Sequence, residues 1–385
     1  MPSIAANLVK SVALSNEPLN SRGAITIHGD NENELPMDLL LVLDISGSMS
    51  GEGERVLLDS VVHTLDHLLR PTDRIAVITF NNSASLHSNW TDSNGTIPGF
   101  STGGGTNFGS AINEVLTFLG SHGRDDSRAG IVLFLSDGHS SMPNEENVRT
   151  ITEFGFTMHT IGVTSGANPT FLQNMADLAR GFYFDAPGFN DVKKAFGSIF
   201  NYGKTVVYSA PDLDVEISDG VVLSELIQTP QGVNIHEGDL KPGHHTLSLT
   251  HMVKDSRGEL AFKISADNVT DGDNLLATFQ CLGAKAELRV RGTLDETELL
   301  EAPQNIDVTL ITKTGDVTTL LKKGDEHTAT KIITQIKTLE NSHPGASSVT
   351  KTLTEVKDAK SDGERLETLG RLTTTKDGKT KIRED

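Results

Sequence analysis

The sequence is poor in cysteine and in positive charge. It has 385 residues and one cysteine, Cys281, which excludes an internal disulfide and any zinc module built from several cysteines. Lysine and arginine number 33 against 52 aspartates and glutamates, giving a formal net charge of −19. Because so acidic a chain repels phosphate backbones and anionic lipid, we predict no nucleic-acid partner.

Long apolar runs are also missing. No stretch of about 18 consecutive apolar residues occurs, so we predict no membrane insertion. The opening "MPSIAANLVKSVALS" lacks the basic start and the uninterrupted apolar segment of a signal peptide. These features predict a cytoplasmic protein, with a cell-surface protein exported by a non-standard route as the alternative.

What the sequence does contain is a regular alternation of strand and helix patterns over residues 35–203. Apolar runs such as "LLLVLD", "RIAVITF" and "GIVLFLSDG" are typical of strands buried on both faces of a covered parallel sheet. Segments with apolar residues at helical spacing separate them. This pattern predicts an α/β fold with a doubly wound, mostly parallel sheet.

The flanking segments follow other periods. Residues 204–322 alternate with a period of two and predict an antiparallel β-sandwich, which ends in a hairpin at "NIDVTLITKTGDVTTLL". Residues 1–34 also resemble strands, and we predict that they join this sandwich, so that the α/β domain is an insertion. Residues 323–374 predict a small helical bundle, and residues 375–385 a flexible tail.

Oxygen-bearing side chains follow two of the predicted strands and begin one helix. Asp44 ends "LLLVLD", and Ser46 and Ser48 point the same way as Asp44 if the segment stays extended. Asp137 ends "IVLFLSD", and Thr106, after "GGG", is a predicted helix N-cap. Since the carboxyl ends of parallel strands meet in one crevice, we expect these five side chains to converge.

Five hard oxygen donors without sulfur or imidazole favour Mg²⁺, with Mn²⁺ or Ca²⁺ as alternatives. Neutral hydroxyls would leave the ion electrophilic and one coordination position open to an incoming carboxylate. We assign four neighbouring residues to the ligand-binding rim, namely Gly47, Gly105, Asn107 and His139.

The motif "DISGS", the threonine of "GGGTN" and the aspartate of "FLSDG" resemble the metal-ion-dependent adhesion site of von Willebrand factor A domains. The resemblance includes a complete DxSxS motif and covers about 170 residues. It implies that Ser46, Ser48 and Thr106 bind the ion directly, while Asp44 and Asp137 hold it largely through water. It also implies a protein partner whose Asp or Glu side chain completes the coordination.

These features predict a non-catalytic scaffold or adaptor that captures a partner. No "GxSxG" elbow occurs, and no lysine follows the glycines of "GGGTNFG" as a phosphate loop requires. Two alternatives stay open: a non-catalytic subunit of a larger enzyme complex, ubiquitin-related or ATPase-coupled, or an assembly component whose metal site is structural. The layout is similar to plant ubiquitin ligases that carry a RING, but one cysteine cannot build a RING, so ligase activity is not implied.

Overall fold

A computed structural model describes most of the chain. It covers residues 1–63, 67–92, 99–163, 167–229, 232–254, 256–340, 343–359, 372–374 and 380–382. Three regions are formed: an α/β domain inserted near the N-terminus, a two-sheet region that precedes and follows it, and C-terminal helices.

The inserted domain is built on a six-stranded sheet. Its strands are β4 (Met37–Asp44), β5 (Arg74–Phe80), β6 (Ala84–Thr91), β7 (Ala129–Ser136), β8 (Phe156–Val163) and β9 (Tyr183–Ala186). Its helices are α1 (Glu52–His63), α2 (Phe108–His122), α3 (Glu145–Thr150), α4 (Pro169–Leu178) and α5 (Phe189–Lys204). The strand order is β6-β5-β4-β7-β8-β9, and only β5 and β6 pair antiparallel.

The sheet is covered on both faces. Every residue of β4, β7 and β8 is buried, as their uninterrupted apolar runs predict. Helices α1 and α5 pack on one face, and α2, α3 and α4 on the other. The predicted doubly wound α/β fold is therefore confirmed.

Strand β4 lies at the topological switch point of this sheet. The chain runs from β4 to β5 on one side and later returns to β7 on the other. A ligand crevice is expected where the carboxyl ends of β4 and β7 diverge. Asp44 and Asp137 lie at those two ends.

The two-sheet region contains the strands that precede and follow the inserted domain. They are β1 (Ser3–Leu8), β2 (Val12–Leu14), β3 (Leu19–His28), β10 (Val206–Tyr208), β11 (Asp212–Ile217), β12 (Val221–Thr229), β13 (Val233–Leu240), β14 (Gly243–Ser248), β15 (Met252–Val253), β16 (Gly258–Ala266), β17 (Gly272–Cys281) and β18 (Ala284–Thr293). One sheet has the order β1-β3-β16-β12-β13 and the other β14-β11-β17-β18-β2. Both contribute to a single apolar core, and β10 pairs with β15 separately.

Segments on both sides of the inserted domain share one sheet. Strand β3 pairs with β16 over nine positions, from Leu19–Ala266 to Ile27–Gly258. The two connections to the inserted domain run side by side, since the Leu35 amide donates to the Val206 carbonyl at 2.7 Å. They enter at the amino end of β4, roughly 25 Å from the carboxyl end of that eight-residue strand.

Polar contacts fix the inserted domain against its surroundings. His251 Nε2 donates to the Gly130 carbonyl at 2.8 Å, and Arg180 donates to the Ser248 carbonyl. Lys322 on the first long C-terminal helix pairs with Asp177 of α4 at 3.1 Å. The crevice edge of the domain is therefore held in a fixed orientation relative to the two sheets.

The hairpin predicted at "NIDVTLITKTGDVTTLL" is wrong, and the last strand of the two sheets, β18, ends at Thr293, well before residue 322. After a short helix α6 (Glu296–Glu301), this segment forms helix α7 (Ile306–Lys322). Its threonines suggest a strand, but Thr309 and Thr318 donate their hydroxyls to carbonyls four residues earlier. Gly315, which resembles a turn residue, lets the helix approach the sheet.

Two further helices follow α7. They are α8 (Glu326–Lys337) and α9 (Pro344–Asp358), which share an apolar core with α7. The predicted third helical stripe lies mostly outside the described residues. Its Leu372 begins a strand, β19 (Leu372–Thr374), paired with β20 (Thr380–Ile382). Of the predicted flexible tail, residues 375–385, only 380–382 lie within the described residues.

Within the described residues, none of the helices is both long and apolar enough to cross a bilayer.

Candidate metal centre

The Asp44 carboxylate is buried and held from two sides. Its side chain is inaccessible to solvent at the end of β4. Oδ1 accepts a hydrogen bond from the Ser46 amide at 2.9 Å, and Oδ2 accepts one from the Ser136 hydroxyl at 2.6 Å. Ser136 Oγ in turn accepts from the Gly138 amide at 3.0 Å. The orientation of Asp44 is thus fixed by both strands that border the switch point.

Two hydroxyls lie side by side just after Asp44. A short 3₁₀ turn, Gly47–Met49, brings Ser46 Oγ and Ser48 Oγ to 3.0 Å from each other. Ser46 is buried and Ser48 is exposed. The pair can therefore offer two neutral oxygens to one ion, with the outer oxygen nearer to solvent.

Asp137 brings a second buried carboxylate close to Asp44. Its Oδ1 accepts from the His139 amide at 3.1 Å. Burial raises the pKa of Asp44; the hydrogen bonds from Ser136 and Ser46 oppose this, and the charge of Asp137 adds to it. Within the described residues neither carboxylate has an ion-pair partner. Two buried, repelling carboxylates without a cationic side chain fit a bound cation.

The loop that carries Thr106 is tied to the Asp44 turn. The Gly103 amide donates to the Ile45 carbonyl at 2.7 Å, and the Gly47 amide donates to the Gly104 carbonyl at 2.9 Å. Thr106 itself is half-buried. The loop therefore runs alongside the serine turn, as the convergence of the five predicted residues requires.

The prediction that Thr106 caps helix α2 is wrong. The N-cap is Asn107, whose Oδ1 accepts from the Ser110 amide at 3.0 Å, and the helix begins at Phe108. The Thr106 hydroxyl makes no hydrogen bond within the described part of the chain. The Thr106 hydroxyl is consequently available as a ligand. By contrast, the side-chain oxygen of Asn107, a residue assigned to the rim, is committed to the cap.

The other rim residues differ in what they contribute. A Cβ on Gly47 would lie 3.2 Å from the Gly104 carbonyl oxygen, and one on Gly105 would lie 2.5 Å from Asn82 Oδ1. Both positions therefore suit glycine because the loops pass so closely. His139 lies on the turn after Asp137 and donates its amide to that carboxylate.

Sequence reasoning missed three polar residues of this site. Ser136 orients Asp44, and Asn81 and Asn82 at the end of β5 hold the Gly103–Gly105 loop. The available signal was position, since "FLSD" and "ITFNN" place these polar residues directly at the carboxyl ends of buried strands.

The donor set fits a hard divalent cation. The described residues contain no group of three or more His, Cys, Asp or Glu side chains that could hold a metal, so a zinc-type cluster is not found there. The switch point instead brings together two carboxylates and the hydroxyl pair Ser46–Ser48, and the loop that carries Thr106 runs alongside them. Oxygen donors of this kind suit Mg²⁺, Mn²⁺ or Ca²⁺.

Comparison with solved structures places the whole chain in a known architecture. A von Willebrand factor type A protein from Catenulispora acidiphila aligns with a TM-score of 0.67 at 15% identity, covering 100% of this chain and 97% of that one. VWA2, the ArnB paralog from Sulfolobus acidocaldarius, aligns with a TM-score of 0.63 at 14% identity, covering 96% and 97%. At these identities the likeness concerns the fold.

Sequence relatives match only part of this chain. The uncharacterized protein sll0103 of Synechocystis is 24% identical over 272 residues, which cover 65% of this chain and 62% of the relative. Human inter-alpha-trypsin inhibitor heavy chain H2 is 22% identical over 210 residues, which cover 46% of this chain and 22% of the relative. The chain thus spans less than two thirds of either relative.

The family comparison agrees with the switch-point geometry. Residues 38–198 match the family model of the von Willebrand factor type A domain. These residues run from β4 into α5 and include every oxygen donor of the candidate site. The inserted domain of this chain therefore has the fold of a von Willebrand factor type A domain.

Proposed function

We propose that this protein is a divalent-metal-dependent binding module that captures an acidic side chain of a protein partner. The observation that carries the proposal is the pairing of two buried carboxylates, Asp44 and Asp137, which lack an ion-pair partner within the described residues. Burying such charges is costly unless a cation balances them. A bound cation would supply that charge.

Each side chain has a distinct part in this proposal. Ser46, Ser48 and Thr106 would hold Mg²⁺ or Mn²⁺ through neutral hydroxyls, while Asp44 and Asp137 balance its charge from behind. Such an ion is a Lewis acid that binds an additional carboxylate. The exposed position of Ser48 leaves the outer side of the site open to a partner.

The comparisons support a binding role at a coarser level. Von Willebrand factor A domains are generally protein-interaction modules. The human relative is named as a heavy chain of an inhibitor, and its name describes no catalytic activity. We therefore propose a non-enzymatic role for this chain, with the metal as part of the recognition surface.

Titration with the metal alone tests the proposal. Isothermal titration with Mn²⁺, and melting curves in millimolar Mg²⁺ followed by chelation, should show binding and a reversible rise in melting temperature for the full chain. Ser48→Ala removes an exposed hydroxyl and should weaken Mn²⁺ binding without changing the melting temperature of the metal-free protein. Asp44→Asn keeps the shape of the carboxylate and should abolish the cation response.

The matched control is Ser121→Ala, which removes an exposed serine hydroxyl from the far end of α2. It should bind Mn²⁺ as the wild type does. A wild-type protein that neither binds Mn²⁺ nor responds to chelation would overturn the proposal, as would Asp44→Asn with unchanged affinity. Partner capture is then tested by pull-down with and without chelator, comparing wild type with Asp44→Asn.

A further inference from the structure

We infer that Asn81 and Asn82 are positioning residues that set the location of Thr106 in the metal site. Both follow β5 directly and form side-chain hydrogen bonds to the Gly103–Gly105 loop. The inference rests on the proposed function. It means that residues following β5 position a metal ligand, although β5 itself contributes none.

Asn81 holds the loop as a donor. Its Nδ2 donates to the Gly103 carbonyl at 3.0 Å. Its Oδ1 accepts from the Ser83 amide at 3.3 Å, which fixes the amide plane. The Gly103 amide also donates to the Ile45 carbonyl. Gly103 is therefore held at both its amide and its carbonyl, between β5 and the residue after Asp44.

Asn82 holds the same loop as an acceptor. Its Oδ1 accepts from the Gly105 amide at 2.9 Å, one residue before Thr106. Its backbone carbonyl also accepts from Asn107 Nδ2 at 3.4 Å. Asn82 thus contacts the residues immediately before and after Thr106, so its position decides where the threonine hydroxyl lies.

The packing around these amides leaves the loop little freedom. A Cβ on Gly104 would lie 3.2 Å from Asn82 Nδ2, and Gly104 has a positive φ of 86°. On the other side, Thr102 donates its hydroxyl to Glu54 at 2.6 Å. The loop is therefore held between α1 and the two asparagines, and it cannot carry Thr106 to another place without breaking these bonds.

Opposite hydrogen-bonding roles give the two asparagines opposite responses to the same substitution. Asn82→Asp keeps the acceptor for the Gly105 amide, so the loop should stay in place and cation binding should be kept or strengthened. Asn81→Asp replaces the donor with an oxygen that repels the Gly103 carbonyl, so the loop should shift. Both variants add one negative charge near the site.

The experiment measures Mn²⁺ affinity of the full chain by isothermal titration. We expect Asn81→Asp and Asn82→Ala to bind Mn²⁺ about 10- to 100-fold more weakly, as is typical when a residue that orients metal ligands is lost. Asn82→Asp should bind at least as tightly as wild type. The control Asn147→Asp adds the same charge on α3, where its Nδ2 donates to Asn113, and should leave the affinity unchanged.

The outcomes separate this inference from the proposed function. A wild-type protein that does not bind Mn²⁺ overturns both. Wild-type binding with equal strengthening by Asn81→Asp and Asn82→Asp would show a charge effect only and would overturn the positioning role. Unchanged affinity in Asn82→Ala would do the same. Circular dichroism of each variant confirms that the fold is retained before affinities are compared.

Discussion

Ser136 Oγ lies 2.6 Å from Asp44 Oδ2 and joins the two strands that border the switch point. Both residues are inaccessible to solvent, so no water replaces the hydroxyl if it is removed. The same oxygen accepts from the Gly138 amide, one residue after Asp137. Ser136 thus links the turns that carry the two carboxylates through two hydrogen bonds.

Ser136→Ala should therefore impair both stability and metal binding. Leaving a buried carboxylate oxygen without its donor is expected to lower the free energy of unfolding by about 1–3 kcal/mol. Mn²⁺ affinity should fall about tenfold because Asp44 loses its orientation. Urea unfolding can be followed by fluorescence of Trp90, the single tryptophan of the chain. Isothermal titration gives the affinity.

Thr160→Val is the matched control for that measurement. Thr160 Oγ1 donates to the Leu172 carbonyl at 2.8 Å, also in a fully buried place, but on strand β8. Its loss should lower stability and leave Mn²⁺ affinity unchanged. Wild-type affinity in Ser136→Ala would show that Asp44 needs no orienting hydroxyl.

Two buried histidines predict that stability depends on pH. Burial lowers the pKa of His159 to about 3, and the nearby His251 lowers it further. Burial also lowers the pKa of His251 to about 4, although its hydrogen bond to the Gly130 carbonyl opposes the shift. His159 Nδ1 accepts from the Phe182 amide, and His251 Nδ1 accepts from the Ala210 amide. Both rings are therefore neutral in the folded protein.

The unfolded chain binds more protons than the folded one between about pH 4 and pH 6.5, the ordinary histidine pKa. Stability should therefore rise with pH through this window and be lost as pH falls through it, by on the order of 1 kcal/mol per pH unit for each histidine. Urea unfolding at pH 4.5, 5.5 and 6.5 measures the slope. The double variant His159→Gln, His251→Gln should flatten it, and an unchanged slope would assign the effect to other groups.

Two glycines of the inserted domain should respond oppositely to alanine. A Cβ on Gly181 would lie 1.9 Å from the Met158 carbonyl oxygen, a backbone atom that cannot move aside. Gly181→Ala is expected to lower the free energy of unfolding by more than about 2 kcal/mol. At Gly197, within helix α5, a Cβ would have no atom within 4 Å apart from its chain neighbours and the adjacent backbone of its own helix.

Gly197→Ala should therefore stabilise the protein by up to about 1 kcal/mol through helix propensity. Thermal and urea unfolding of the two variants side by side tests the contrast. Equal effects of the two substitutions would contradict the close approach of Gly181 to β8.

Helix α7 is fastened to the two-sheet region by a double hydrogen bond between Arg22 and Asp316. A double-mutant cycle of Arg22→Ala and Asp316→Ala should give a coupling energy of about 1–2 kcal/mol, since both groups keep some solvent exposure. Hydrogen exchange should show continuous protection across the middle of Ile306–Lys322, including the residues around Gly315. Absence of coupling together with an unprotected turn around Gly315 would restore the hairpin predicted from sequence.

Much of the inserted domain could be predicted from the sequence because its strands are buried on both faces. Such strands need uninterrupted apolar runs, and the first polar residue after each run marks the crevice, as at Asp44 and Asp137. These relationships join residues close in sequence, so a local pattern of apolar and polar residues can predict them. The sequence predicts Ser46 and Ser48 on one side of an extended segment, whereas the structure brings them together through the 3₁₀ turn Gly47–Met49.

Helix α7 and the two asparagines could not be predicted in this way, for different reasons. The α7 segment is rich in β-branched residues, and only its packing on the sheet and the hydroxyl bonds of Thr309 and Thr318 favour a helix. Asn81 and Asn82 look like ordinary turn residues until the Gly103–Gly105 loop, more than 20 positions later, is brought to them.

The pairing of β3 with β16 has a consequence for the order of folding. Their paired residues are 231 (Ile27 and Gly258) to 247 (Leu19 and Ala266) positions apart along the chain, a separation that makes their encounter entropically costly. Once the inserted domain has formed, its adjoining ends, held together at Leu35 and Val206, shorten that separation to a small effective loop. We therefore expect the von Willebrand factor A domain to fold first. Its folding should then accelerate the pairing of β3 with β16.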